Sequence, residues 1–130
     1  MFYGQGYAGS GARRYAAVHA GSRIEGASPH ALVKILFDEL LLALDTAVVA
    51  ERHCDRVKAS DKQARAMSII HALEASLDFE QGGEIASGLA AIYREARRLL
   101  LTGSRERDPK PVEQARAIIG EIADAWEKIG

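Results

Sequence analysis

The sequence predicts an all-α protein, an antiparallel four-helix bundle that is preceded by a flexible N-terminal arm or short cap helix. Apolar residues recur at three- and four-residue spacings in four stretches of about twenty residues, and no stretch has the alternation of a strand. Short segments rich in turn residues separate the stretches, and short connections make neighbouring helices antiparallel. We therefore predict an arm at residues 1–27 and one bundle domain at residues 28–130.

The arm is predicted from its glycines, because six of the 12 glycines of the chain lie before residue 27 and glycine makes ordering costly. The first helix is predicted to begin at Ser28 and Pro29, since serine caps helices well and proline suits the first helical position. It should extend to about Cys54. The second is predicted to begin at residues 60–63, which have the form of a capping box, and to end at the glycines of positions 82 and 83.

The third helix is predicted to have Glu84 in its first turn and to end near Gly103, and the fourth to open at residues 108–111. Both show helical spacing of apolar residues. In the third helix these are Ile85, Leu89, Ile92, Ala96 and Leu99. The fourth has a heptad seam of Val112, Ala115, Ile119, Ile122, Trp126 and Ile129.

The composition of the chain argues against some classes of function. The 17 basic and 18 acidic residues give a net charge of −1, without the basic excess of a nucleic-acid binder. The longest apolar runs, residues 40–44 and 89–93, are too short for stable membrane insertion. The single cysteine suits a reducing compartment. We therefore expect a soluble, cytoplasmic protein.

The first helix is more hydrophobic than a bundle member needs to be, because a bundle helix requires only one apolar stripe. Residues around Leu36 and Leu40 form a face that suits the core, whereas Ile35, Leu42 and Val49 form a separate stripe. Either the helix is central and covered on several sides, or one stripe stays open for an amphipathic partner helix. Both hold if the arm covers the stripe until the partner arrives.

Motifs for catalysis and for metal or cofactor binding are absent from the sequence: it contains no Glu-x-x-His pair and no phosphate-binding loop. We therefore predict no catalytic residue, metal ligand or cofactor, and a protein that is not an enzyme. The enzyme alternative would require His71, Glu74 and Arg98 to converge in a closed pocket. A locally basic stretch is either a solvated helix face or a docking site for an acidic partner, and it comprises Arg94, Arg97, Arg98, Arg105, Arg107 and Lys110.

Three stretches resemble one protein family. The first joins Tyr15 to ASPHALV at residues 27–33 and LFD at 36–38. The second joins residues 69–70 to SLDFEQGGEIA at 76–86, and the third joins residues 89 and 92–93 to AWEKI at 125–129. Together they resemble the FliS family, the flagellin-specific chaperones of bacterial flagellar export.

The resemblance implies a cytoplasmic export chaperone that binds the disordered C-terminal region of flagellin. It implies that the chaperone prevents premature polymerisation and delivers flagellin to the flagellar type III export apparatus, with export-gate components as further partners. The arm would cover part of the binding surface, and Tyr15 resembles its functional tyrosine. The alternative is a helical regulatory adaptor that binds another protein through its apolar groove or basic patch. Weak homodimerisation of the unliganded chain stays open.

The predicted partner-binding residues combine the apolar spacings with the resemblance. Those in the arm and the first helix are Tyr15, Ile24, Leu32, Ile35, Leu36, Phe37 and Leu42. Those in the second and third helices are Ile70, Leu73, Leu77, Leu89 and Tyr93. No nucleic-acid partner and no stable membrane insertion are predicted.

Overall fold

The structure is a computed structural model that describes residues 26–129, and this range contains four α-helices and no strand. We number them α1 (Pro29–Arg52), α2 (Arg56–Ala75), α3 (Phe79–Glu106) and α4 (Pro109–Ile129). The all-α prediction is confirmed. Apart from residues 26 and 27, the predicted arm lies outside the described residues and stays a prediction.

The start of α1 follows from its cap. The Ala31 amide donates a hydrogen bond to Ser28 Oγ over 3.2 Å, and Pro29 occupies the first helical position. A serine cap satisfies one of the amides that lack a partner within the helix. The predicted start is confirmed, and the helix ends at Arg52, two residues before the predicted end at Cys54.

The predicted start of α2 at residues 60–63 is wrong, because α2 begins four residues earlier, at Arg56. Asp55 is the cap, and its Oδ1 accepts a hydrogen bond from the Lys58 amide over 3.1 Å. An aspartate cap also places negative charge at the positive end of the helix dipole. This earlier cap leaves Gln63 inside the helix, where its side chain is buried.

The predicted end of α2 at the glycine pair is also wrong. The helix ends at Ala75, and α3 begins at Phe79 behind the cap Asp78, whose Oδ1 accepts from two amides at 3.1 Å. The glycines lie inside the start of α3, where Gly83 (φ 48°, ψ −121°) kinks the helix before it resumes. This backbone conformation strongly favours glycine. The pair therefore does break a helix, but the one that follows.

Gly103 does not end α3, which continues to Glu106 and closes with Arg107 in the left-handed region at φ 51°. A Cβ on Gly103 would lie 2.8 Å from Val112 Cγ2, so the glycine allows α3 and α4 to approach closely. The predicted start of α4 is confirmed, since the helix begins at Pro109 and Asp108 Oδ1 accepts from the Lys110 amide over 3.0 Å.

The helices form a ring in which each has two close neighbours. α1 packs against α2 and α4, and α3 packs against the same two helices, so α1 and α3 lie diagonally across the bundle. Connections of two or three residues make successive helices antiparallel. The fold is therefore the predicted four-helix bundle.

The core is filled by aliphatic side chains from all four helices together with the aromatic rings of Phe37 and Tyr93. The seam of α4 is buried along its first half and opens towards its end, where Ile122 and Trp126 are partly buried and Ile129 is exposed. The largest fully buried residues are Phe37, Leu40, Leu44, Ile70, Leu73, Tyr93, Leu100, Val112 and Ile119.

Candidate protein-binding surface on the first helix

The solvent side of α1 carries an apolar stripe that the neighbouring helices leave uncovered. Leu42 is 61% exposed and Val49 is 54% exposed. Seven residues separate them, which is two helical turns and places them on one line. Ile35 lies one further heptad back but is buried, so the predicted stripe is open only in its second half.

Ion pairs flank this stripe on both sides. Towards α2, Arg65 donates to Glu39 Oε1 over 3.0 Å, and towards α4, Arg116 Nε donates to Asp45 Oδ1 over 3.0 Å. The Arg116 pair is exposed and the Arg65 pair is part-buried, and exposed pairs contribute little to stability. They do place polar groups beside the apolar stripe, an arrangement of apolar centre and polar rim that protein-binding surfaces commonly have.

An open groove of about 440 Å³ runs beside Val49 between α1 and α4. A third ion pair, with Arg52 2.7 Å from Glu113 Oε2, joins the same two helices. The groove lies between the stripe and α4, so a side chain of a bound segment could enter it. Its lining consists of Asp45, Val48, Val49, Glu113 and Arg116.

Several of the predicted partner-binding residues lie in the core instead of on this surface. Leu36, Phe37, Ile70, Leu73 and Tyr93 are all buried within one hydrophobic cluster. A partner could reach them only if the helices moved apart. Their part in binding stays a prediction, as does that of Ile35.

The remaining predicted residues are spread along the chain. Leu32 is half-buried near the start of α1, and Leu77 and Leu89 are partly buried against the core. Tyr15 and Ile24 lie outside the described residues. The structure therefore does not gather the predicted set at one place, and only Leu42 lies on the open stripe.

The start of α3 exposes apolar residues that the sequence analysis did not identify as a surface. Phe79 is exposed, and Ile85, which was expected in the seam of this helix, is 72% exposed. They lie on either side of the kink at Gly83. The sequence feature that indicated this exposure was the glycine pair at positions 82 and 83. A break in α3 at that point separates its first turn from the regular packing of the bundle.

The residues that an enzyme alternative would need do not converge. His71 Nδ1 lies 3.9 Å from Glu74 Oε1, but Glu74 is paired with Arg97 Nε at 2.7 Å. Arg98 instead pairs with the neighbouring Glu95 on the surface of α3. The closed pocket which that hypothesis required is therefore not formed by these side chains.

Tyr93 is the buried titratable group of the core. Burial, and secondly the negative charge of Glu74, raise the pKa of its phenol well above the usual value. The ring therefore stays neutral at physiological pH and acts as a packing residue.

Metal-binding clusters and membrane-spanning helices would each indicate a different class of function. Within residues 26–129, no group of three or more His, Cys, Asp or Glu side chains is placed to hold a metal ion. In the same range, none of the helices has the length and apolar character to cross a bilayer.

These observations define a class: a small antiparallel helical bundle with an uncovered apolar stripe on one helix, flanked by ion pairs. Within that class, the chain belongs to the family of the flagellar protein FliS, whose family model matches residues 11–130. The resemblance noted in the sequence is confirmed by this match.

Individual flagellar secretion chaperones match this chain over most of their own length. The chain is 36% identical over 124 residues to the flagellar secretion chaperone FliS of Salmonella typhimurium, covering 95% of this chain and 92% of that protein. It is 33% identical over 123 residues to FliS of Escherichia coli, covering 94% and 90%. It is 25% identical over 126 residues to FliSB of Pseudomonas aeruginosa, covering 95% and 98%.

Proposed function

We propose that this chain is a cytoplasmic flagellar export chaperone that binds the disordered C-terminal region of flagellin. It keeps flagellin from polymerising early and delivers it to the flagellar type III export apparatus, where export-gate components are further partners. Family membership and the names of the relatives support the chaperone role. The observation that carries the proposal for binding is the exposed stripe of Leu42 and Val49 on α1.

The physical basis is the burial of that stripe by an amphipathic segment. Fully burying a leucine or valine side chain is favourable by about 1.5–3 kcal/mol. A disordered segment loses conformational entropy when it becomes ordered on the bundle, so it must bury several apolar side chains to bind. The stripe and the groove beside Val49 supply such contacts along two turns of α1.

The N-terminal arm is proposed to compete with flagellin for apolar surface. Tyr15 and Ile24 are the arm residues expected to make these contacts. When the arm leaves and flagellin arrives, one set of apolar contacts replaces another, so the exchange is close to balanced. Leu32, Leu77 and Leu89, which are only partly buried, are proposed as further contact positions. The buried predicted residues would take part only after movement of the helices.

The test is calorimetric titration of a flagellin C-terminal fragment into the full chain and into the double variant Leu42→Asp, Val49→Asp. We expect at least about a tenfold loss of affinity, which corresponds to about 1.4 kcal/mol. The matched control is Val57→Asp, since Val57 is 83% exposed and lies on α2 instead of α1. Equal affinity of the double variant and the wild type would refute the proposed surface.

The alternative, a regulatory adaptor for a different protein, makes another prediction. Purification of the chain from flagellated cells would then recover another protein without flagellin. Size measurement of the free chain at several concentrations would show in the same samples whether the exposed stripe leads to weak homodimers.

A further inference from the structure

The outward side of α3 carries a basic stripe, which we define as Arg94, Arg98, Leu101 and Arg105. Steps of four, three and four residues place the four side chains on one line along the last three turns of the helix. All four are exposed, and Leu101 is 58% exposed between the arginines. An exposed leucine inside a row of guanidinium groups differs from an ordinary solvated face, which needs no apolar residue.

Within the part of the chain that the structure describes, two of the three arginines have no acidic partner. Arg98 donates two hydrogen bonds to Glu95, at 2.8 and 2.6 Å, and this contact lowers the pKa of the Glu95 carboxyl. Among residues 26–129, no carboxylate lies within 4.0 Å of the side-chain nitrogens of Arg94 or Arg105. The chain as a whole has a net charge of −1, so this row of three arginines is a local concentration of positive charge.

The basic stripe lies on a different helix from the apolar stripe. α1, which carries Leu42 and Val49, packs closely against α2 and α4, and α3 packs closely against the same two helices. The two stripes therefore belong to helices on opposite corners of the bundle. Segments bound to both at once would not meet.

We propose that the basic stripe is a second docking surface, for an acidic protein segment with an apolar residue between its carboxylates. Eleven residues separate the outer arginines, which is about 16 Å along a helix. A helical partner with carboxylates about eleven residues apart, or an extended one with carboxylates about five apart, spans that distance. The apolar residue of the partner packs on Leu101, and its carboxylates pair with Arg94 and Arg105.

A protein segment fits this surface better than a nucleic acid does. Single-stranded nucleic acids that are bound without sequence reading use phosphate contacts together with aromatic stacking. The aromatic residues of α3 are Phe79, at the far end of the helix, and Tyr93, which is buried. Leu101 offers an apolar contact and no stacking platform. The proposal is independent of flagellin binding at the apolar stripe.

The experiment uses a labelled helical peptide with one leucine, a glutamate on each side at the spacing of the stripe, and its glutamine counterpart. Fluorescence anisotropy measures binding to the full-length chain. We expect binding of the glutamate peptide alone, an approximately tenfold loss for the double variant Arg94→Gln, Arg105→Gln, and a loss of several-fold for Leu101→Gln. The control Arg56→Gln, Lys58→Gln removes two exposed cations of α2 and should bind within about twofold of wild type.

Each other outcome overturns the proposal. Failure of the wild type to bind the glutamate peptide removes the site. If the α2 control loses as much affinity for the peptide as the double variant Arg94→Gln, Arg105→Gln, the chain attracts the peptide unspecifically. If a single-stranded oligonucleotide of equal charge displaces the peptide with higher affinity, the stripe is a nucleic-acid surface. If the chain self-associates and the peptide disrupts that association, a second copy of the chain is the occupant. Loss of peptide binding in the Leu42→Asp, Val49→Asp variant would contradict the independence of the two surfaces.

Discussion

Trp126 in α4 contacts His30 in the first turn of α1. Its indole Nε1 donates a hydrogen bond to the main-chain oxygen of His30 over 3.0 Å, and the two rings stack with centroids 4.6 Å apart. The edge of Trp126 also meets Phe37, with centroids 6.3 Å apart. The contact joins α4 to the first turn of α1.

This contact predicts a graded loss of stability at position 126. Trp126→Phe keeps an aromatic ring but removes the hydrogen bond, and should lower the free energy of unfolding by about 1 kcal/mol. Trp126→Ala should lower it by about 2–3 kcal/mol, since the ring is only partly buried. Urea unfolding measures both, with Glu127→Ala as an exposed neighbouring control. A Trp126→Phe variant as stable as the wild type would show that the hydrogen bond contributes nothing.

Tyr93 predicts a loss of stability in alkali. Its pKa is raised in the folded state by burial, whereas in the unfolded chain it is about 10. Below pH 10 both states are protonated, and above it only the unfolded state releases the proton, so stability falls as the pH rises. Denaturant unfolding between pH 8 and 11 should show this fall. It should be smaller in Tyr93→Phe, and identical pH profiles of the two proteins would contradict the assignment.

Two glycines of α3 predict opposite effects of alanine. Gly83 has φ 48°, which an alanine adopts only with strain, so Gly83→Ala should cost about 1–3 kcal/mol. Gly88 lies in regular helix with open space around a built Cβ, so Gly88→Ala should stabilise by about 0.5–1 kcal/mol. Thermal and urea unfolding of the two variants measure the difference. A stabilised Gly83→Ala variant would mean that the kink is not required.

Gly103 predicts a coupling between α3 and α4. Gly103→Ala would bring a methyl group to 2.8 Å from Val112 Cγ2, and overpacking of this kind costs about 1–3 kcal/mol. The cost should be smaller when Val112 is also alanine, because one of the colliding groups is then gone. It should not vanish, since the main-chain oxygen of Asp108 remains 3.2 Å away. A double-mutant cycle measures the coupling, and strict additivity would contradict the close approach.

Some helix boundaries could be predicted from the sequence because their signals are local. Two of these signals pair a capping residue with a proline, which a helix accommodates well only in its first turn. They are Ser28 with Pro29 and Asp108 with Pro109. The boundaries of α2 could not, because two competing signals were present: the capping box at residues 60–63 and the aspartate at position 55. Asp55 became the cap because the turn after α1 ends directly before it.

The surface was harder to predict than the fold. The spacing of Leu42 and Val49 identified a stripe that the core does not need, and these two side chains are exposed. Spacing alone could not separate Ile35, which is buried, from the other two. Burial also depends on the neighbouring helices, and the residue pattern of one helix does not show where they pack. For this reason the spacing did not reveal that Phe37 and Tyr93 lie in the core.

Site-specific photo-crosslinking tests whether the stripe on α1 contacts flagellin directly. A benzophenone amino acid is placed at position 42 in one variant and at position 57 in another, and each is irradiated with a flagellin C-terminal fragment. Direct contact predicts a covalent product at position 42 that unlabelled fragment competes away, and little or none at position 57. Crosslinking at 57 without crosslinking at 42 would contradict it.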